Sequence, residues 1–195
     1  MRRPEFDRDE VLDRAMRVFW EKGYFDTSIQ DLSDATGLQR SSIYAAFKSK
    51  HELYLSALRR YHAQKVEMCA EIESAEYPFD ALKGFVRSIV ANELEDGDGL
   101  GCLVANATLE FSGRDKQVNA LTSRNLTMLA QTIEAAIRSG QIRGSVRKDM
   151  DPAVAARSVV VTIQGLRVIA KGIDSRERET WLHSASDSCL ASLAA

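Results

Sequence analysis

The sequence predicts an all-α protein: an N-terminal three-helix domain with a helix-turn-helix, then a larger helical domain, about nine helices in total. Two observations carry the prediction. Apolar residues recur at helical spacing along most of the chain, and capping residues, glycine and proline punctuate the pattern. Within Thr27–Lys50, two short helical patterns are separated by a glycine turn and closed by an aromatic and basic cluster.

The first helix opens on Asp7-Arg8-Asp9-Glu10, which has the form of a capping box. Val11, Leu12, Ala15, Val18 and Phe19 form its apolar face, and Gly23 after Lys22 stops it. Tyr24 and Phe25 are expected in the core. The second helix is expected to open at Thr27 or Ser28, where Thr27 with Gln30 three residues on gives a capping signature, and its inner face is Ile29, Leu32 and Ala35. Gly37 supplies the sharp turn that two crossing helices need.

The third helix begins near Gln39 and carries Arg40, Ser41, Ser42 and Tyr44 around Ile43 and Phe47. A helix entering the major groove of DNA uses its first residues on base edges, and Gln39, Arg40 and Ser41 are competent donors there. Tyr44, Lys48 and Lys50 follow at its end, where a hydroxyl and two ammonium groups suit phosphates. The alternative is that this helix is a solvated face of three packed helices.

A long helix follows from Ser49, its N-cap, with Glu52 completing a box and Leu53, Leu55, Leu58, Tyr61 and Val66 inside. Pro78 restarts the chain, giving expected domains at 1–50 (with the helix-turn-helix), 51–77 (connecting helix) and 78–195 (the larger helical domain). Phe79, Leu82, Phe85, Val86, Ile89, Val90 and Leu94 make the next helix apolar on a broad face. The acidic turn Glu95-Asp96-Gly97-Asp98-Gly99 is expected to be solvated, because no bidentate glutamate follows at the spacing a calcium loop needs.

A helix over residues 115–139 with Val118, Leu121, Met128, Leu129, Ile133 and Ile137 inside is stopped by Gly140, leaving Arg124, Asn125 and Gln131 at the surface or one of them turned into a cavity. Ile142 and Val146 tuck the polar connector against the body. Asp151-Pro152 restarts a helix that is apolar on nearly every side through Ala170, and a helix of that kind must be covered on more than one side. The last helix, residues 175–193, lines up Trp181, Leu182, Ala185, Cys189, Leu190 and Leu193. Two such terminal helices suit a four-helix seam with a second copy.

The 195 residues, 45% hydrophobic, can bury a substantial core. No run approaches the roughly 20 apolar residues of a membrane helix, and Met1-Arg2-Arg3-Pro4-Glu5 turns polar at once, so a soluble, cytoplasmic protein is expected. Cys69, Cys102 and Cys189 are odd in number and widely spaced, unlike a disulfide framework or zinc site. A net charge of -2 means that any phosphate contact comes from a few placed side chains. No glycine-rich phosphate loop or nucleophile elbow is present, and His51, His62 and His183 lack a paired ligand at helical spacing. No catalysis, metal or cofactor is expected.

The ordered constellation T-x-I-x-x-L-x-x-A-x-G-L, then Y-x-x-F-x-S-K, in Thr27, Ile29, Leu32, Ala35, Gly37, Leu38, Tyr44, Phe47, Lys48, Ser49, Lys50 and Leu53, resembles the N-terminal domain of the tetracycline-repressor (TetR) family. The match covers about the first quarter of the chain. The resemblance implies phosphate contacts from Thr27 or Ser28 and from Lys48, base contacts from Gln39, Arg40 and Ser41, and a backbone contact from Tyr44. Ala45 and Ala46 depart from many relatives, which carry larger side chains there, so readout shifts to Gln39 and Arg40. It further implies a homodimeric repressor on palindromic double-stranded operator DNA, released by a small-molecule effector. The effector's cavity is expected among the fifth to eighth helices, with Phe85, Ile89, Cys102, Asn106, Met128 and Gln164 as candidate lining. Gly101-Cys102-Leu103 resembles an element at the sixth helix in one branch of the family, where some members sense electrophiles or oxidants through the cysteine; the alternative is a small buried side chain. Outside the family, the remaining alternative is a helical module acting through protein contacts alone.

Overall fold

The computed structural model describes residues 6–95 and 100–195. The acidic turn at residues 96–99, with the calcium question attached to it, lies outside the described residues. Among those described there are nine helices: α1 Arg8–Lys22, α2 Ile29–Thr36, α3 Arg40–Phe47, α4 Lys50–Ser74, α5 Pro78–Glu95, α6 Leu103–Phe111, α7 Lys116–Arg143, α8 Pro152–Gly172 and α9 Ser175–Leu193. The chain forms two compact units, Met1–Gln64 with Leu103–Ser123, and Lys65–Cys102 with Arg124–Ala195. The change of unit therefore falls within α4, ahead of the helix break at Pro78, and α6 with the start of α7 belongs to the first unit.

In the first unit, the Asp7 carboxylate accepts from the amides of Asp9 and Glu10, and Val11, Leu12, Ala15, Met16, Val18 and Phe19 form the buried face of α1. Gly23 ends the helix at φ 79°, a conformation costly for a side-chain-bearing residue. Of the two starts expected for α2, Thr27 and Ser28, the cap is Ser28. Ser28 and Asp31 form the capping box, because the Thr27 hydroxyl is turned inward onto the Gly23 carbonyl. Phe25, expected inside, is 56% exposed, and Val66 also faces solvent.

Arg60 of α4 grips Asp13 of α1 through two bonds of 2.9 Å. Phe19, Tyr24, Tyr54 and Phe111 build a contiguous aromatic cluster from α1, the α1–α2 connector, α4 and α6. His51 meets Asp115 at 2.7 Å, and the same carboxylate accepts from the Gln117 and Val118 amides at the start of α7.

The second unit buries Phe79, Leu82, Val86, Ile89, Leu129, Ile133, Ile137, Val159 and Ile163 with the end of α4 and Leu190 and Leu193 of α9. Gly140 does not stop α7, which runs on to Arg143. It is instead a close-packing position: a Cβ there would collide with Val146 and lie 3.2 Å from Phe79. Gly144, at φ 80°, follows the true end. Val146 is buried as expected, whereas Ile142 is 83% exposed and Asn125 is buried.

α8 is the one helix among the described residues long and apolar enough to cross a membrane. Its Ala155, Ala156, Val159, Ile163, Leu166 and Ala170 are buried in the unit, while Val154, Val161 and Val168 form an exposed stripe. α9 is two-sided as well: Leu182, Ser186, Leu190 and Leu193 are buried and Trp181 is outside.

Candidate nucleic-acid interface

α2 and α3 are joined by a tight turn. Gly37 sits at φ 73° and ψ 6°, its amide bonds to the Ser33 carbonyl, and the Ser33 hydroxyl reaches the Leu38 carbonyl. Gln39 caps α3 with extended backbone. The eight-residue helix then divides cleanly, with Ile43 and Phe47 buried and Gln39, Arg40, Ser41, Tyr44 and Ala45 exposed. Arg40 lies one turn before Tyr44, and its guanidinium stands 5.9 Å from the ring centroid. A planar fork so placed can take the O6 and N7 acceptors of a guanine, and the tyrosine hydroxyl beside it suits a phosphate.

The exit from α3 is strained at one residue. Lys48 has φ 66° and ψ -46°, and the Ser49 amide donates to the Phe47 carbonyl at 2.7 Å, closing a γ-turn around it. A non-glycine residue at positive φ costs about 1–2 kcal/mol. Ser49 then caps α4 through its Oγ, 3.0 Å from the Glu52 amide. The turn projects Lys48 into solvent.

Two residues expected at DNA are tied into the interior framework in the single chain. Thr27 is 1% exposed. Lys50 Nζ donates to the carbonyls of Tyr24 and Thr27, 2.8 Å each, and lies 4.4 Å from the Tyr24 ring centroid. Its charge is thereby engaged by backbone carbonyl dipoles. Ser28 is exposed, with its hydroxyl 2.6 Å from the Asp31 carboxylate. Lys22 and Ser28 together hold the Asp31 carboxyl well below the usual carboxylate range.

The weak overall charge has a local explanation. On α1, Arg14 is paired with Glu10, Arg17 with Glu21, and Lys22 with Asp31. Arg40 and Lys48 have no acidic partner among the described residues, so the face they occupy stays positive. Arg8 also touches this region: its guanidinium lies 4.5 Å from the Phe47 ring centroid and donates to the Ala46 carbonyl near the end of α3.

Of the expected effector-lining residues, Phe85 and Met128 pack against the cluster that holds Ile89. Cys102 is buried, and the Gln164 Oε1 is buried without a hydrogen-bond partner. Asn106 falls on α6, in the first unit. An open groove of about 370 Å³ in the second unit, between α8 and α9, is lined by other residues, among them Met150, Val154, Ser158, Cys189 and Leu193.

Sequence reading missed a set of interior charges. Arg167 stands 3.8 Å from Glu93 with its Nε buried and unbonded. Burial, with Arg167 nearby, pushes the Lys65 ammonium pKa down. Arg167, the second of two arginines inside the apolar run of α8, was the available signal.

A two-helix reading head with an exposed polar third helix, stiffened by capped turns and served by unpaired cations, defines a helix-turn-helix DNA-binding protein. Comparisons with known proteins agree in detail. Residues 11–57 match the family of bacterial regulatory proteins named for tetR, and residues 78–185 match the tetracyclin repressor-like C-terminal domain. The HTH-type transcriptional repressor ComR of Escherichia coli (strain K12) is 31% identical over 179 residues, covering 89% of this chain and 83% of ComR. Among solved structures, a cysteine mutant of the TetR family regulator CifR, complexed with 26-bp double-strand operator DNA, is 28% identical. It superposes with a TM-score of 0.82 over 99% of this chain and 100% of that one. Reduced NemR of E. coli shares the fold at 19% identity, with a TM-score of 0.83 over 96% of each chain. The chain belongs to the TetR family and is a DNA-binding transcriptional repressor.

Proposed function

We propose that the protein occupies a palindromic operator as a homodimer, using α3 of each copy to read bases, and leaves it when a small molecule enters the second unit. The observation that carries this reading is the exposed polar face at the start of α3, standing over a fully buried Ile43 and Phe47. Gln39, Arg40 and Ser41 contact base edges, and Ala45 offers only an apolar touch to a thymine methyl. Tyr44, Lys48 and Ser28 hold phosphates, with the Ser28 hydroxyl turning from Asp31 to do so. The positive φ of Lys48 supports its role, because strained backbone at a non-glycine residue gathers at functional sites.

Dimerisation uses the exposed stripe of α8, Val154, Val161 and Val168, with Trp181 of α9. Two-fold pairing doubles the phosphate contacts and sets half-sites about one helical turn apart. The effector is taken up near Phe85, Ile89, Cys102, Met128 and Gln164. A coupling of about 1–3 kcal/mol between effector and operator sites weakens DNA binding by roughly 5 to 150-fold. The protein acts in the cytoplasm, by binding alone.

Selection of bound duplexes from a random-sequence pool by the full-length protein tests this reading. The expected product is an inverted repeat with half-sites about 10 bp apart, centre to centre. Recovery of no common sequence, or of a single unrepeated site, contradicts it.

A further inference from the structure

Of the six residues that join α1 to α2, the first five, Gly23 to Thr27, are held by charges of opposite sign from two other helices. Glu110 of α6 takes the donors: its carboxylate oxygens accept the Tyr24 amide at 2.9 Å and the Phe25 amide at 2.7 Å. Lys50 of α4 takes the acceptors, the Tyr24 and Thr27 carbonyls. The Thr27 hydroxyl closes the remaining Gly23 carbonyl. Charge-assisted bonds of this kind are roughly twice as strong as neutral ones.

The fit is close as well as polar. A Cβ at Gly23 would lie 3.0 Å from Glu110 Oε1 and press on the carboxylate, and the φ of 79° favours glycine there in any case. Phe111, the next residue on α6, stacks on Tyr54 and leans on Tyr24 and Phe25, so the acid is delivered on a packed helix end. Arg114 donates to the Glu110 and Phe111 carbonyls and fastens that end.

We propose that Glu110 is a positioning residue for DNA binding. Through the Tyr24 and Phe25 amides it fixes the connector, hence the start of α2 at Ser28, and with α2 the placement of α3. The inference rests on the proposed role of α3 at the operator.

The test turns on sign. Removing a carboxylate from a DNA-binding unit raises its affinity for a polyanion if charge alone matters. Loss of a positioning group lowers it. Glu110→Gln, nearly the same shape with one carbonyl oxygen left, and Glu110→Ala are compared with wild type on a duplex recovered by wild type from a random pool. Affinity is measured well below the melting temperature of each variant.

Roughly tenfold weaker binding is expected for Glu110→Ala, which corresponds to about 1.4 kcal/mol, and a smaller loss for Glu110→Gln. Amide exchange is expected to speed up at Tyr24 and Phe25 while α1 and α4 stay protected. Equal or tighter binding by the Gln variant, or unchanged exchange at both amides, overturns the inference. If wild type recovers no duplex at all, the failure lies in the operator reading beneath it.

Discussion

Lys48 and Lys50 stand two residues apart, and the structure gives them opposite work. Replacing each one separates anchoring from DNA contact. Lys50 makes two bonds of 2.8 Å to carbonyls and one close approach to an aromatic ring. Hydrogen bonds from a charged donor contribute about 1.5–3 kcal/mol each, and a cation–π contact about 0.5–1 kcal/mol. Part of this is returned by water, since Lys50 is half-buried. Lys50→Ala is therefore expected to lose about 2–4 kcal/mol, a fall in Tm of roughly 5–15 °C at this chain length.

Lys48→Gly removes an exposed ammonium and relaxes a positive φ, so its Tm is expected to stay level or rise. Its DNA binding is expected to weaken on every sequence. With one phosphate lost per half-site, the slope of log K against log salt should flatten by about 1.8 for the dimer. Thermal denaturation and salt titration of operator binding measure both variants side by side. A stable Lys50→Ala with a flattened slope, or a destabilised Lys48→Gly with an unchanged slope, would refute the assignment.

Gly140→Ala should cost about 1–3 kcal/mol by overpacking against Val146 and Phe79, read as a lower denaturation midpoint. For Asp115, the Val118 amide, the His51 side chain and the Gln117 amide all favour the carboxylate and hold its pKa low. A depressed folded-state pKa contributes stability above the unfolded value of about 3.9 and loses it as pH falls through the folded one. The stability advantage of wild type over Asp115→Asn in urea denaturation should thus shrink as pH drops below about 4, and a constant gap would contradict it. Val161→Asp places a charge on the exposed stripe of α8, 70% accessible in the single chain. Sedimentation should show it as a monomer with weakened operator binding; an intact dimer would remove α8 from the seam.

The helices themselves are legible in the residues, since capping at Asp7, Ser49 and Asp151, the turn at Gly37 and the restart at Pro78 are local events. Positions decided by distant neighbours are not. Gly140 and Gly144 look alike as stops, but one is required by Phe79 and Val146 packing against it and the other by its own φ. Thr27 and Ser28 are equally good caps by type, and burial of Thr27 chooses between them. Lys48 and Lys50 differ only in where the γ-turn points them. Asn125 is polar and yet buried, which periodicity cannot signal. Glu110 lies 86 residues from Tyr24 along the chain, so nothing local announces the bond between them.

Arg40→Ala tests most directly whether the first residues of α3 read bases, when its binding is measured on the selected operator and on a duplex with permuted half-site bases. A bidentate contact carries about 1–3 kcal/mol of discrimination. The variant is expected to lose roughly tenfold or more on the operator per half-site, with only a small loss on the permuted duplex. Equal losses on both would show that Arg40 merely attracts phosphate, and would contradict the account.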